Sequence, residues 1–225
     1  MPHRKLRALG LHGWRTSGAI LAQQLQRKGL AAALDDLLEI DCIDAPHPAT
    51  GPPQPDVAAN FEGPYFEWWD DHKAEDGTHT YMGWEESLDY LAAYIRERGP
   101  FDGLVGFSQG AIVSLVLAGL QRRGLALGGL PGIKFCLLFS PFQSRDPRHA
   151  AAYEGLIDCP AMVIVGEQDP FKSWSLPSAK LLKDPVVMMH RNGHSVPGAD
   201  WEGVPRVRAF LEGVAAGGEA DSANT

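Results

Sequence analysis

The chain is poor in the residues that staple small secreted folds. It has three cysteines, Cys42, Cys136 and Cys159. The number is odd, the spacings are wide and no C-x-x-C pair occurs, which argues against a disulfide framework or a zinc site. Cys42 and Cys136 lie in apolar runs and read as small core residues. No run of about 18 apolar residues is present, so no membrane span is expected. The basic start, MPHRKLRALGLHGW, lacks the apolar stretch of about 7–15 residues that a signal peptide needs. A reducing, cytoplasmic setting is the expectation. Positive charge is also scarce: 20 Lys and Arg stand against 28 Asp and Glu, a net charge of -8. Such a surface repels phosphate backbones and anionic lipid, so nucleic acid and membrane-surface partners are not expected. Neither GxxxxGK(S/T) nor a strand-GxGxxG-helix is found, and nothing supports a nucleotide cofactor. Asp70, Asp71, His72, Glu75, Asp76 and His79 form an acid/His patch without HExxH or similar spacing. It reads as a solvated loop, and no metal or cofactor is expected.

What is present is ordinary globular material: 44% hydrophobic and 21% charged residues in a chain of 225. Short apolar runs predict strands at Leu6–Leu11, Leu37–Asp44, Asp102–Phe107, Ile133–Phe139, Ala161–Val165 and Val186–His190. Helical patterns cover 17–28, 84–98, 109–122, 174–183 and 204–214. This alternation implies βαβ units: a single-domain α/β fold over 1–214, about six mostly parallel strands with helices on both faces. Residues 45–82 form a long insertion rich in proline and aromatics, with Phe61, Tyr65, Phe66, Trp68, Trp69 and Tyr81, and Trp84 just beyond it. Loops of that length are functional or disordered, and the aromatics argue for the first. The small, polar stretch 215–225 reads as a disordered tail.

Ligands of open α/β sheets bind beyond the carboxyl ends of the strands. After the third strand stands Gly106-Phe107-Ser108-Gln109-Gly110, followed by the apolar helix Ala111–Ala118 and the stop Arg122-Arg123-Gly124. A strand, a tight glycine-flanked turn and a buried helix are the setting of a nucleophile elbow, with Ser108 as nucleophile. The helix N-terminus favours developing negative charge beside it. Ser114 lies mid-helix and Ser140 precedes a proline, so both are poorer candidates.

A serine hydroxyl needs a base, and in this class the chain order is Ser, acid, His. Downstream lie His149, His190 and His194. His149 sits in a charged, solvated-looking stretch, while His190 ends a strand and reads as a core or edge residue. His194, in Asn192-Gly193-His194-Ser195-Val196-Pro197 beyond the last strand, is the preferred base, with His190 the alternative. Asp169 directly follows the fifth strand and is the preferred acid over Glu167, Asp158 and Asp184. The oxyanion donors are expected to be the backbone N–H groups of Gln109 and of Trp14 (or Arg15), since Gly13 permits a tight turn there. His12 reads as a residue that pins this loop. Trp68, Trp69, Phe142 and Phe171 are expected to line an acyl or alkyl pocket, the competing reading being a partner-binding patch.

Several segments together carry a resemblance: Leu11-His12-Gly13-Trp14-Arg15-Thr16-Ser17-Gly18, Trp68-Trp69, Gly83-Trp84-Glu85-Glu86-Ser87-Leu88, Gly99–Gly110 and Gly193-His194-Ser195-Val196-Pro197. They resemble the FSH family of serine hydrolases over residues 5–212. The resemblance implies a minimal α/β hydrolase whose sheet starts at the oxyanion-loop strand. It also implies a triad on Ser108, Asp169 and His194, and carboxylesterase or thioesterase activity on small acyl esters or thioesters, including acyl chains held on a carrier protein. Phe171 and Trp174, close behind the acid, depart from the family pattern and narrow the expected pocket. The alternatives are an acyl-protein thioesterase-type enzyme and a non-catalytic ligand-binding protein on the same fold.

Overall fold

Leu6, Ala8, Leu9 and Leu11 are all buried, because β1 (Leu6–Leu11) is covered on both faces. A strand so placed reads as a continuous apolar run. The computed structural model describes residues 4–222, with side chains as far as residue 217. After β1 come α1 (Gly18–Arg27), α2 (Leu30–Leu34) and β2 (Leu38–Ile43). The insertion then contributes β3 (His47–Pro48), α3 (Pro55–Asn60), β4 (Phe66–Glu67), β5 (Asp70–Lys73) and β6 (His79–Met82). The chain continues through α4 (Trp84–Arg98), β7 (Gly103–Phe107), α5 (Gln109–Arg122), β8 (Phe135–Phe139), a 3-10 segment (Pro147–Tyr153) and β9 (Ala161–Gly166). It ends with α6 (Lys172–Ser178), a short 3-10 turn (Ala179–Leu181), β10 (Val186–His190) and α7 (Val204–Ser222).

Six strands pair in the order β10-β9-β8-β7-β1-β2, every neighbour parallel. Successive residues face opposite sides. Leu104 joins the core beneath α4 and α5, while Val105 and Phe107 join the core beneath α1 and α7. The chain moves outward from β1 to β2, then returns to β7 on the other side of β1. Loops after β1 and β7 therefore part at their carboxyl ends and open a crevice, the usual ligand position in such sheets. α5 is buried from Gln109 to Gly119, in keeping with its apolar sequence all round.

Two expectations change. The stretch 215–225 was expected to be a disordered tail, but α7 runs on to Ser222. Ala215 packs on the α1–α7 core and Ala216 follows it, both strong helix formers; residues 223–225 lie outside the described part. The acid/His patch is a β5–β6 hairpin rather than a loop; His72, Glu75 and Asp76 are exposed as expected, while Asp71 is hydrogen-bonded to His79 Nδ1 at 2.8 Å and ion-paired with Arg145. The insertion is ordered by its aromatics: Trp68, Trp69 and Tyr81 are all buried in the core beneath α4 and α5, together with Trp84 of α4. No helix among the described residues is long and apolar enough to cross a membrane.

Candidate active site

Between β7 and α5 the chain must reverse within one residue. Ser108 takes that turn with φ +53° and ψ -115°, a region that costs a non-glycine residue about 1–3 kcal/mol. Its N–H is tied to Phe139 O at 2.9 Å. The flanking glycines are steric necessities. A Cβ on Gly106 would stand 2.5 Å from Gly110 O, and one on Gly110 would stand 2.0 Å from Leu11 O.

Asp169 lies one turn beyond β9 and is 4% exposed. Its Oδ1 accepts from the Phe171 N–H at 2.7 Å. Its Oδ2 accepts from Ser140 Oγ at 2.5 Å and from His194 Nδ1 at 2.9 Å. Burial alone would raise this carboxyl, but the hydrogen bonds from His194 and Ser140 outweigh it and hold it below the usual carboxylate range. His194 reaches Asp169 because Gly166 admits its loop: a Cβ there would meet Gly193 O at 2.2 Å. Lys28 Nζ fastens the far side of that loop at Ser195 Oγ (3.1 Å) and Val196 O (3.0 Å). The rings of Phe107 and Phe171 flank His194 at 4.8 and 4.9 Å between centroids.

His190, the alternative base, is 2% exposed and its Nδ1 accepts from Asn192 N–H. Burial first, then the Lys28 charge, lowers its pKa. It is outside the cavity lining. His149 was expected to be solvated, yet it is 2% exposed, between Trp84 and Tyr81. Those partners come from far up the chain, so its charged sequence neighbours misled. Burial pushes it down to about 4.

His12 pins the β1 loop, as its position suggested. Its Nε2 accepts from Ala45 N–H at 3.0 Å, so Nδ1 carries the proton and donates to Gly13 O at 2.8 Å. Burial holds it neutral, with a pKa lowered to about 4. Thr16 Oγ1 also donates to Gly13 O. Among the described residues, neither the Trp14 nor the Gln109 backbone N–H has an acceptor. Arg15 ties this loop to the insertion through the buried Glu67 at 3.1 Å.

A cavity of about 320 Å³ opens over the crevice. Ser108, His194, Gln109, Trp14, Trp69, Phe142 and Phe171 all line it, with Tyr81, Trp174 and Ile112. Trp68 does not, which corrects the expectation that it touches substrate. Trp68 stands at the bend between β4 and β5 and faces inward. It is fully buried, with Nε1 donating to His12 O at 3.0 Å. Two polar roles escaped the sequence reading. One is Ser140, whose role shows only once β8 and β9 are adjacent. The other is the Gln109 side chain, which accepts from Trp68 N–H at 3.0 Å and donates to Trp69 O at 2.9 Å.

A strained serine between a parallel strand and a buried helix, at the carboxyl edge of such a sheet, defines the α/β-hydrolase class. Within that class, the chain belongs to the family described as Serine hydrolase (FSH1), which matches residues 1–202, and it is a serine hydrolase. It is 31% identical over 211 residues to Esterase OVCA2 of Xenopus tropicalis, covering 86% of this chain and 87% of that one. Esterase OVCA2 of Homo sapiens is 30% identical over 227 residues, with 93% and 95% covered. Among solved structures, Zea mays acyl-protein thioesterase 2 matches with a TM-score of 0.56 at 20% identity, over 95% of each chain. That likeness is one of fold. Ester hydrolysis is the general chemistry of this protein.

Proposed function

We propose that the chain cleaves carboxylic esters or thioesters of small acyl groups through an acyl-enzyme on Ser108, with His194 as base and Asp169 as its orienter. One observation carries the reading: Ser108 and His194 line the same cavity, and His194 Nδ1 is committed to Asp169. A proton on Nδ1 leaves the Nε2 lone pair free to take the Ser108 proton as Oγ attacks the acyl carbon. The N–H groups of Gln109 and Trp14, without acceptors of their own, hold the oxyanion. His194 then returns the proton to the leaving alkoxide or thiolate. Water, deprotonated by the same nitrogen, releases the acid and frees Ser108. Among the described residues no hydrogen bond yet joins Ser108 Oγ to His194; such contacts tighten when substrate is bound.

Charge at the mouth favours a neutral substrate. Asp56, Asp70 and Asp71 line the cavity against one cation, Arg145, which is already paired with Asp71. An acyl group carried on a phosphate-bearing arm meets repulsion there. A neutral thioester should therefore be cleaved faster than its phosphate-bearing analogue.

Ser108→Ala should lower kcat on an aryl ester by roughly 10⁴- to 10⁶-fold and abolish labelling by a fluorophosphonate. Near-normal hydrolysis by folded Ser108→Ala would sink the assignment.

A further inference from the structure

One wall of the cavity is a stack of two rings, Trp69 on Tyr81, 4.4 Å apart and within 5° of parallel. Tyr81 lies on β6, and β5 and β6 form a two-stranded sheet separate from the main one. A two-stranded hairpin is marginal by itself. This one is gripped by a side-chain pair that stands in for a neighbouring strand. Asp146 Oδ2 accepts from the Tyr81 N–H at 2.8 Å, and Arg148 Nη2 donates to the Tyr81 carbonyl at 2.9 Å. The pair is locked to itself: Arg148 Nε reaches both carboxylate oxygens at 3.0 and 3.1 Å, and Nη2 reaches Oδ2 at 2.6 Å. The Arg148 N–H adds a further bond to Asp146 Oδ1 at 2.9 Å. Asp146 is 3% exposed. Burial disfavours its charge, but Arg148 and the Tyr81 N–H more than offset that and hold it at about 2. One residue earlier, the Arg145 N–H donates to Tyr81 Oη at 2.9 Å.

We propose that Asp146 and Arg148 are specificity-determining positioning residues, which fix where the Tyr81–Trp69 wall stands and so which acyl or alkyl lengths the cavity admits. Neither lines the cavity. They grip the wall through the backbone of Tyr81, while Arg148 is also paired with Glu85 on α4. The inference rests on the reading of the cavity as the ester-binding pocket. A wall held at a set depth gives an optimum in chain length, whereas a loosened wall gives a flatter profile with weaker binding at the optimum.

The test uses the full chain, a series of aryl esters from acetyl to dodecanoyl, a small fluorophosphonate and a melting curve. Asp146→Asn keeps an acceptor for Tyr81 N–H but loses the charge that holds Arg148. At the wild-type optimum its KM should rise roughly 10-fold with kcat within about 3-fold, and the length profile should flatten. Fluorophosphonate labelling of Ser108 should slow by less than about 3-fold, since it needs the serine and its activation but not the wall. Arg148→Lys keeps the charge but cannot span Asp146 and the Tyr81 carbonyl together, and should shift KM in the same direction by about 3-fold. An unchanged length profile in folded variants overturns the proposal. So does an equal fall in kcat at every length, or loss of cooperative melting in both variants, which would make the pair a folding element only. Labelling of wild type at Ser108 reports the parent reading separately, so a labelled wild type with an unaltered variant profile overturns the clamp alone.

Discussion

Ser140 Oγ and His194 Nδ1 both donate to the same oxygen of Asp169, at 2.5 and 2.9 Å. The carboxylate is thus oriented from two sides before any substrate arrives. Ser140 is fully buried, and its N–H is anchored to Ile164 O at 2.8 Å. Ser140→Ala should lower kcat by about 5-fold with KM little changed, because the imidazole loses a fixed partner rather than a substrate contact. Steady-state kinetics on one aryl ester decides it. An unchanged kcat would show that Phe171 N–H and His194 suffice to hold Asp169.

Acid should weaken the fold well above the carboxylate range. His12 and His149 are buried, and each is lowered from 6.5 to about 4. Between those values the unfolded chain binds protons that the folded one does not, so stability falls as pH drops through that window. Each site contributes a loss on the order of 3 kcal/mol by its lower limit. Asp146, held at about 2, keeps its contribution until the pH falls below the ordinary carboxylate value, so it plays no part there. Urea midpoints at pH 7.5 and 5 should differ strongly, and His149→Gln should shrink the difference. Equal slopes in wild type and variant would remove His149 from the explanation.

The elbow should tolerate no side chain at Gly110. A methyl group 2.0 Å from Leu11 O has only backbone to push against, so Gly110→Ala should cost at least about 3 kcal/mol or prevent folding. Gly124→Ala is the control. Nothing lies within 4 Å of its Cβ, and φ is +68°, so the penalty should be nearer 1 kcal/mol. Chemical denaturation of the two variants separates the causes, and similar losses would contradict the steric account.

The adjacent tryptophans should part company under mutation. Trp68 is wholly internal, so Trp68→Ala should cost about 3–5 kcal/mol of stability. Trp69 is a cavity wall, so Trp69→Leu should chiefly raise KM for the longer esters. Melting curves and kinetics run on both proteins would expose a reversal of roles.

The sheet was legible because strands covered on both faces are apolar runs with turn residues at one end. Leu6–Leu11 is found at the bounds its composition predicts, and so is the partly exposed edge strand Val186–His190, whose run of Val and Met is apolar all the same. Ser108, Asp169 and His194 could be picked out as candidates because each follows a strand in the order the chemistry requires. Trp68 could not be told from Trp69, since two neighbouring indoles differ only in how the bend between β4 and β5 turns each of them. His149 was hidden for another reason. Its local company is Arg145, Asp146 and Arg148, yet Asp146 and Arg148 neutralise each other and Tyr81 and Trp84 close over the imidazole. Such partners, distant in the chain, leave no mark in a local window.

The insertion between β2 and α4 packs Trp68, Trp69 and Tyr81 into the core, and several of its polar groups are met by single side chains of the domain: Gln109 at Trp68 and Trp69, Ser87 Oγ at the Trp68 carbonyl, Arg15 at Glu67, and Asp146 with Arg148 at Tyr81. None of these requires a change in the central sheet. The segment is in effect a cartridge with a handful of fittings. A differently shaped insertion that presents the same backbone groups to those fittings would give the same reaction centre a different appetite, which makes this segment the natural place to exchange when selectivity is to be redesigned.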